Sequence, residues 1–253
     1  MAERGEFNKN FEQKKRDFFV KLGLRAREWL KTHKELGKLW ESKKSERWEN
    51  VSEHCLVEAA RGEAFSDLLG LSDITKQLIF ASAIIHDFNK KDEILMTAKA
   101  GKTPESFDEA YEIARNKLAE AGIPENIIEV SDSVGHASVG NIEMILDKKE
   151  PDESDIAKLI MHYIDDYTIG SEWVGSFDGN KNDFDRRMDA NESNIKYEKI
   201  AAAGFYKEQR RVGELTEKRL AELAAERTHQ QVTPEILPEL IDKMIKEKIE
   251  KMI

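Results

Sequence analysis

Leu78-Ile79-Phe80-Ala81-Ser82-Ala83-Ile84-Ile85-His86-Asp87-Phe88-Asn89-Lys90-Lys91 is an apolar run, with Ser82 its one polar member, that ends in a histidine, a carboxylate and two lysines. Gly70 stops the element before it and Ser72 or Asp73 supplies an N-cap, so the run reads as a buried helix from Ile74 to about His86. A polar pair at the end of a buried helix is costly to desolvate unless it is partnered. An imidazole beside a carboxylate is the donor chemistry of a metal site. Side chains of neighbouring residues on a helix diverge by about 100°. Both can therefore reach one ion only across the helix end, with further ligands arriving from other helices.

Working outward, helical spacing recurs and strand signals are scarce. Phe11, Phe18, Phe19, Leu22, Trp29, Leu30, Leu36 and Trp40 mark one or two amphipathic helices, and Leu56, Ala59, Ala60, Ala64, Leu68 and Leu69 a further one. Thr103-Pro104 is an N-cap followed by proline in the first turn, with Phe107, Tyr111, Ala114 and Leu118 on one face before Gly122. Pro124 opens a short helix, Ala137 to about Asp147 another, and Pro151-Asp152 the helix carrying Ile156, Leu159, Ile160, Tyr163 and Ile164. The stretch from Gly170 to Glu192 reads as a long loop, followed by helices over Ile195 to Arg227 and, started by Thr233-Pro234, to Ile253. The expected fold is all-α, with additional helices at both ends of a core.

The chain has 253 residues, a net charge of -10 and a single cysteine, Cys55. An acidic balance argues against a nucleic-acid polymer as partner, since such proteins neutralise phosphates with excess Lys and Arg. One cysteine rules out an internal disulfide and a Cys-rich zinc site, so any metal is held by His and carboxylate. No stretch approaches the roughly 18 consecutive apolar residues of a membrane span, and the Met1 region lacks a signal-peptide core. The expectation is a cytoplasmic protein without a membrane partner. From Lys9 to Arg47 basic residues outnumber acidic ones by about two to one, which reads as a solvated helix face. The apolar faces of the terminal helices could pack against a second copy.

Candidate ligands lie on both sides of His86-Asp87. His54 stands in Val51-Ser52-Glu53-His54-Cys55-Leu56-Val57, and Asp165 and Asp166 in Met161-His162-Tyr163-Ile164-Asp165-Asp166-Tyr167. Two imidazoles and two carboxylates suit Mn, Fe, Ni, Co, Zn or Mg, and composition does not choose among them.

The order His54, His86-Asp87 with Lys90 after it, and then Asp165 resembles the signature of the HD superfamily of metal-dependent phosphohydrolases. Glu53-His54-Cys55-Leu56-Val57-Glu58-Ala59 looks like that family's first histidine helix, and Ala83 to Lys90 like its apolar helix ending in His-Asp-x-x-Lys. The resemblance covers about Val51 to Ser171. It implies an HD-type helical bundle at residues 51–171, an N-terminal helical extension at 1–50, and a loop with C-terminal helices at 172–253. It further implies a divalent metal on His54, His86, Asp87 and Asp165, with Asp166 the rival for the last place and the family's apolar-Asp step favouring Asp165. Lys90 matches the lysine expected to meet a substrate phosphate. His136 falls in the interval where some members carry further histidines for a second metal or the substrate. His162, one turn before Asp165 and Asp166, is a second candidate of that kind. His33 and His229 read as surface residues.

The implied activity is hydrolysis of a phosphoester or phosphoanhydride of a small molecule, a nucleotide first among them, with Asp87, Lys90 and His136 acting on the reaction. The alternative is a regulatory helical protein that keeps the site for metal or ligand without turnover. Arg186-Arg187 and Arg210-Arg211 flank the long loop and its following helix; such doublets either clamp a substrate phosphate, Arg186 and Arg187 first among them, or form surface ion pairs with neighbours such as Asp183, Asp185 and Asp189. The loop itself, with Trp173, Phe177 and Phe184, is a candidate lid. Ala100-Gly101-Lys102-Thr103 lacks the first glycine and the preceding strand of a phosphate-binding loop. Glu226 and His229 form a lone Glu-x-x-His, whereas a di-iron carboxylate bundle needs two.

Overall fold

A computed structural model of the chain describes residues 2–33, 49–88, 90, 93–96, 103–135, 138–168, 188–189, 192–194, 199 and 204–251. Within them every long element is helical and no strand occurs, as the periodicity predicts. The helices are α1 (Ala2–Lys31), α2 (Glu49–Leu68), α3 (Asp73–Ile85), α4 (Pro104–Glu120), α5 (Glu125–Ser131), α6 (Val139–Leu146), α7 (Glu153–Asp166), α8 (Phe205–Thr228) and α9 (Leu237–Glu250).

The decisive run becomes α3. Ser72 caps it by accepting from the Thr75 N–H, and every residue from Ile79 to Ile85 is buried. A helix that is apolar on all sides belongs at the centre of a bundle. Around α3 stand α1, α2, α5 and α7, which all touch it. Sequence punctuation sets the other boundaries. Gly70 and Gly122 take the left-handed backbone (φ 57° and 84°) after α2 and α4. Thr103 and Asp152 form capping boxes at the starts of α4 and α7.

The long contact between α2 and α3 depends on small residues on α2: Ala59, Ala60 and Ala64 are buried. A Cβ at Gly62 would stand 2.6 Å from Ile79 Cγ2. Gly62→Ala is therefore expected to push the helices apart and lower stability by about 1–3 kcal/mol, the usual cost of overpacking, as measured by denaturant titration.

The C-terminal helices close the same core. Val212 and Leu220 of α8 and Ile241 and Ile245 of α9 join the buried cluster that contains Leu22 of α1, Ile84 of α3 and Ile160 of α7. The last helix starts later than Thr233-Pro234 predicts. The Thr233 carbonyl accepts from the Ile236 and Leu237 N–H groups, which closes a turn, and Pro238 takes the first-turn position in α9. Of the helix expected from Ile195, the described part runs from Phe205 after Gly204 at φ 80°. No helix among the described residues is long and apolar enough to cross a membrane.

Asp67 on α2 fastens α3 and α9 through Lys76 (2.9 Å) and Lys248 (2.6 Å). Partial burial pulls its carboxyl up, but the hydrogen bonds from the two lysines outweigh this and hold it below its ordinary value. A carboxyl depressed in the folded state contributes stability above its unfolded value and loses it as pH falls through the folded one. Asp67→Asn is expected to be less stable than wild type at neutral pH. That difference should shrink below about pH 4, as read from thermal unfolding across an acid series.

Candidate metal centre

The end of α3 delivers His86 and Asp87 in a tightening turn. The His86 N–H donates to Ser82 O at 2.9 Å, then Phe88 N–H to Ile85 O at 2.8 Å and Lys90 N–H to Asp87 O at 3.2 Å. The His86 ring is fully buried between α2 and the last turn of α7. His54 arrives from α2, with its ring centroid 5.4 Å from that of His86. Glu58 follows one turn later on α2, fully buried, and Asp165 arrives from α7.

One donor atom from each of His54, Glu58, His86 and Asp165 lies within 4.8 Å of all the others. His54 Nε2 stands 2.8 Å from Glu58 Oε1 and 3.6 Å from Asp165 Oδ1. His86 Nδ1 is 2.9 Å from the Ala83 carbonyl, which only accepts, so this nitrogen carries a proton, and once the ring is neutral the lone pair is on Nε2. That Nε2 faces Asp165 Oδ1 at 3.8 Å and Asp87 Oδ2 at 3.9 Å. Those gaps are too wide for hydrogen bonds. With ion-to-ligand distances of about 2.0–2.2 Å, two ligands of one ion lie about 3–4 Å apart, which these gaps match.

The buried donor atoms test the fit. His86 Nε2 is buried without a hydrogen bond, and the fully buried Glu58 carboxylate lies between the two rings, with Oε1 2.8 Å from His54 Nε2 and Oε2 3.2 Å from His86 Nδ1. A buried nitrogen like His86 Nε2 costs about 1–3 kcal/mol if left so. His86 and Glu58 turn into one small space together with His54 and Asp165, and N and O donors of this kind suit a divalent cation of the first transition row or Mg.

Charge leads to the same place. Burial pulls the His86 ring down, but Glu58, Cys55 and Asp87 outweigh it and push it up to about 10. Burial opposes His54 likewise, and Glu58 and Asp165 raise it well above its ordinary value. Three carboxylates around two imidazoles thus draw in protons, and a divalent cation supplies the same positive charge.

Asp87 stands at the rim, its side chain 18 % exposed. Burial raises its carboxyl, but Lys90, His86 and His54 overcome this and hold it at about 2. Lys90 Nζ lies 3.5 Å from Asp87 Oδ1 and 3.4 Å from Glu93 Oε2. Asp87 and Glu93 keep this ammonium above its ordinary range against burial. A cleft opens on this side, lined by His86, Asp87, Phe88, Lys90, Tyr111 and Asp132. Arg115 holds Asp132 from beyond at 2.7 Å.

His54, His86 and Asp165 therefore converge as the sequence order predicts, and Asp87 borders them. Asp165 is the member of the doublet that faces the two histidines. Asp166 points elsewhere, accepting from Gln209 Nε2 at 2.6 Å and standing 3.4 Å from His162 Nε2. His162 does not reach the cluster either: its Nδ1 lies 3.1 Å from Ser138 Oγ and 3.2 Å from Ser133 O. Arg210 pairs with Asp189 at 2.7 Å, and Arg211 with Glu208 at 2.9 Å and with Glu143. His136, Arg186, Arg187, Trp173, Phe177 and Phe184 lie outside the described residues.

Glu58 is the member that sequence reasoning missed. The available signal was its position four residues after His54, which places it on the same helix face. Comparison with known proteins adds no name: no family model matches the chain, and neither the curated proteins nor the solved structures contain a match.

Proposed function

We propose that this chain is a metal-dependent phosphohydrolase of the HD type, cleaving a phosphoester or phosphoanhydride of a small molecule, with nucleotides the first class to test. The observation that carries the reading is the buried His54, Glu58, His86 and Asp165 cluster, with its donor atoms turned inward and the Asp87 carboxylate at the mouth of a cleft. The resemblance of the residue order supports it. A divalent ion bound there supplies Lewis acidity toward a phosphoryl oxygen and makes water acidic near neutral pH.

The chain's own residues supply the rest. Asp87, ionised and partly exposed, would accept the proton of a water whose acidity the bound ion has raised. Lys90 offers its ammonium on the cleft side, where charge develops on phosphorus. The test is a panel of nucleotides and phosphate esters assayed for phosphate release with Mn, Mg, Ni, Co and Zn in turn. Turnover that depends on the metal is expected with at least one pairing.

A regulatory protein that binds metal or ligand without turnover is the second reading. It is favoured by Lys90, whose ammonium is engaged on two sides by Asp87 and Glu93. Metal binding without hydrolysis across the panel would select it over the enzyme.

A further inference from the structure

We infer that Arg61 is a positioning residue of the metal centre: it steadies the Glu58 carboxylate from behind and ties the helix of His54 to the turn that follows Asp165. The inference rests on the reading that the His54, Glu58, His86 and Asp165 cluster holds a metal.

His54, Glu58 and Arg61 fall on one face of α2, at steps of four and then three residues. Arg61 is fully buried, and it heads the completely buried side chains by volume. Its Nη1 donates to Thr168 Oγ1, whose hydroxyl donates in turn to the Ile164 carbonyl. Thr168 lies just past α7, and its N–H donates to the Asp165 carbonyl at 3.2 Å. The guanidinium thus spans from the second turn of α2 beyond His54 to the backbone of the ligand supplied by α7. Glu58 is the strongest of the charges acting on it, followed by Tyr163 and by Asp242 of α9.

A buried guanidinium is expensive, and an apolar side chain of similar volume often serves stability as well or better. Stability alone is thus a weak reason for a cation here. The metal centre supplies a stronger one, because Arg61 follows Glu58 by three residues on the same face of α2 and joins that helix to the turn after Asp165. The planar fork of arginine also presents donors in several fixed directions, which the single ammonium of lysine does not.

The test measures binding of Mn²⁺ alone by calorimetry, with thermal unfolding recorded alongside. Arg61→Met is expected to weaken Mn²⁺ binding roughly 10–100-fold, the range seen when a group that orients a metal ligand is removed. Arg61→Lys should recover part of the loss. If Arg61 acts through Glu58, adding Arg61→Met to Glu58→Gln weakens binding by no more than about twofold further, a non-additivity expected of residues that share one charge network. The double variant also removes the lone buried carboxylate that could unfold Arg61→Met, and Arg61→Lys in the same two backgrounds repeats the comparison. Folded Arg61→Met with unchanged Mn²⁺ affinity overturns the inference, as do fully additive losses. Failure of the wild-type protein to bind Mn²⁺ or any other metal of the panel would overturn the metal centre as well, so the two failures are distinct.

Discussion

Asp87→Ala is expected to reduce metal-dependent phosphate release by about 10²–10⁴-fold, the range for loss of a positioned general base. Asp87 borders the cluster and lines the cleft, with one oxygen toward His86 Nε2 and the other toward Lys90. Its carboxyl is held at about 2, so it stays ionised across the pH range of any assay. Asp87→Asn separates its two roles. The amide keeps the size and one oxygen but accepts no proton, so turnover should fall while Mn²⁺ still binds to His54, Glu58, His86 and Asp165. Initial rates at saturating metal, with a parallel Mn²⁺ titration, read both quantities. Full activity in Asp87→Ala would remove the hydrolase reading.

Chelation is the second large effect. Protein stripped of metal should lose turnover, and adding Mn²⁺ back at about 100 times its dissociation constant should stabilise the fold by about 2.7 kcal/mol. For a chain of this size that corresponds to a melting point higher by about 5–11 °C. The pH dependence has a definite sign. In the ion-free protein His86 holds its proton up to about 10 and His54 holds its own well above the ordinary value. An ion must displace those protons, so affinity should rise with pH and binding should release protons, measured by calorimetry in buffers of different ionisation enthalpy. The ion-free fold behaves oppositely. The stability it draws from the raised His86 is complete below the unfolded histidine value and is lost as pH climbs through about 10. A melting point unmoved by Mn²⁺ across that range would count against the centre.

Local rules made much of the fold readable. Ser72, Thr103 and Asp152 cap the helices they precede, and Gly70 and Gly122 end the ones they follow, because these residues satisfy or release backbone groups within a few positions of themselves. His86-Asp87 was legible for a similar reason, as a polar pair closing an apolar run. The choice between Asp165 and Asp166 was not a local matter. A helix turns about 100° per residue, so either could face inward until α7 is packed against α2 and α3. His162 shows the same limit: it faces Asp166, four residues on, and not the cluster. Glu58 and Arg61 were hidden by a rule that usually holds, since charged side chains within a helix most often mark its solvated face. The surrounding Ala59, Ala60, Gly62 and Ala64 are what a close helix contact requires, and they place both charges inside.

The missing side chain at Gly62 acts at a distance. It lies eight residues after His54, and Ile79, which it meets, lies seven before His86, so the approach of the two helices here governs how far apart the two imidazoles stand. If the cluster holds an ion, the bite of the centre, and with it the ionic radius it accommodates, is inherited from a hydrogen atom in the apolar core. Selectivity among cations of like charge would then be a property of helix spacing as much as of donor identity, and it would drift through core substitutions that leave every ligand in place.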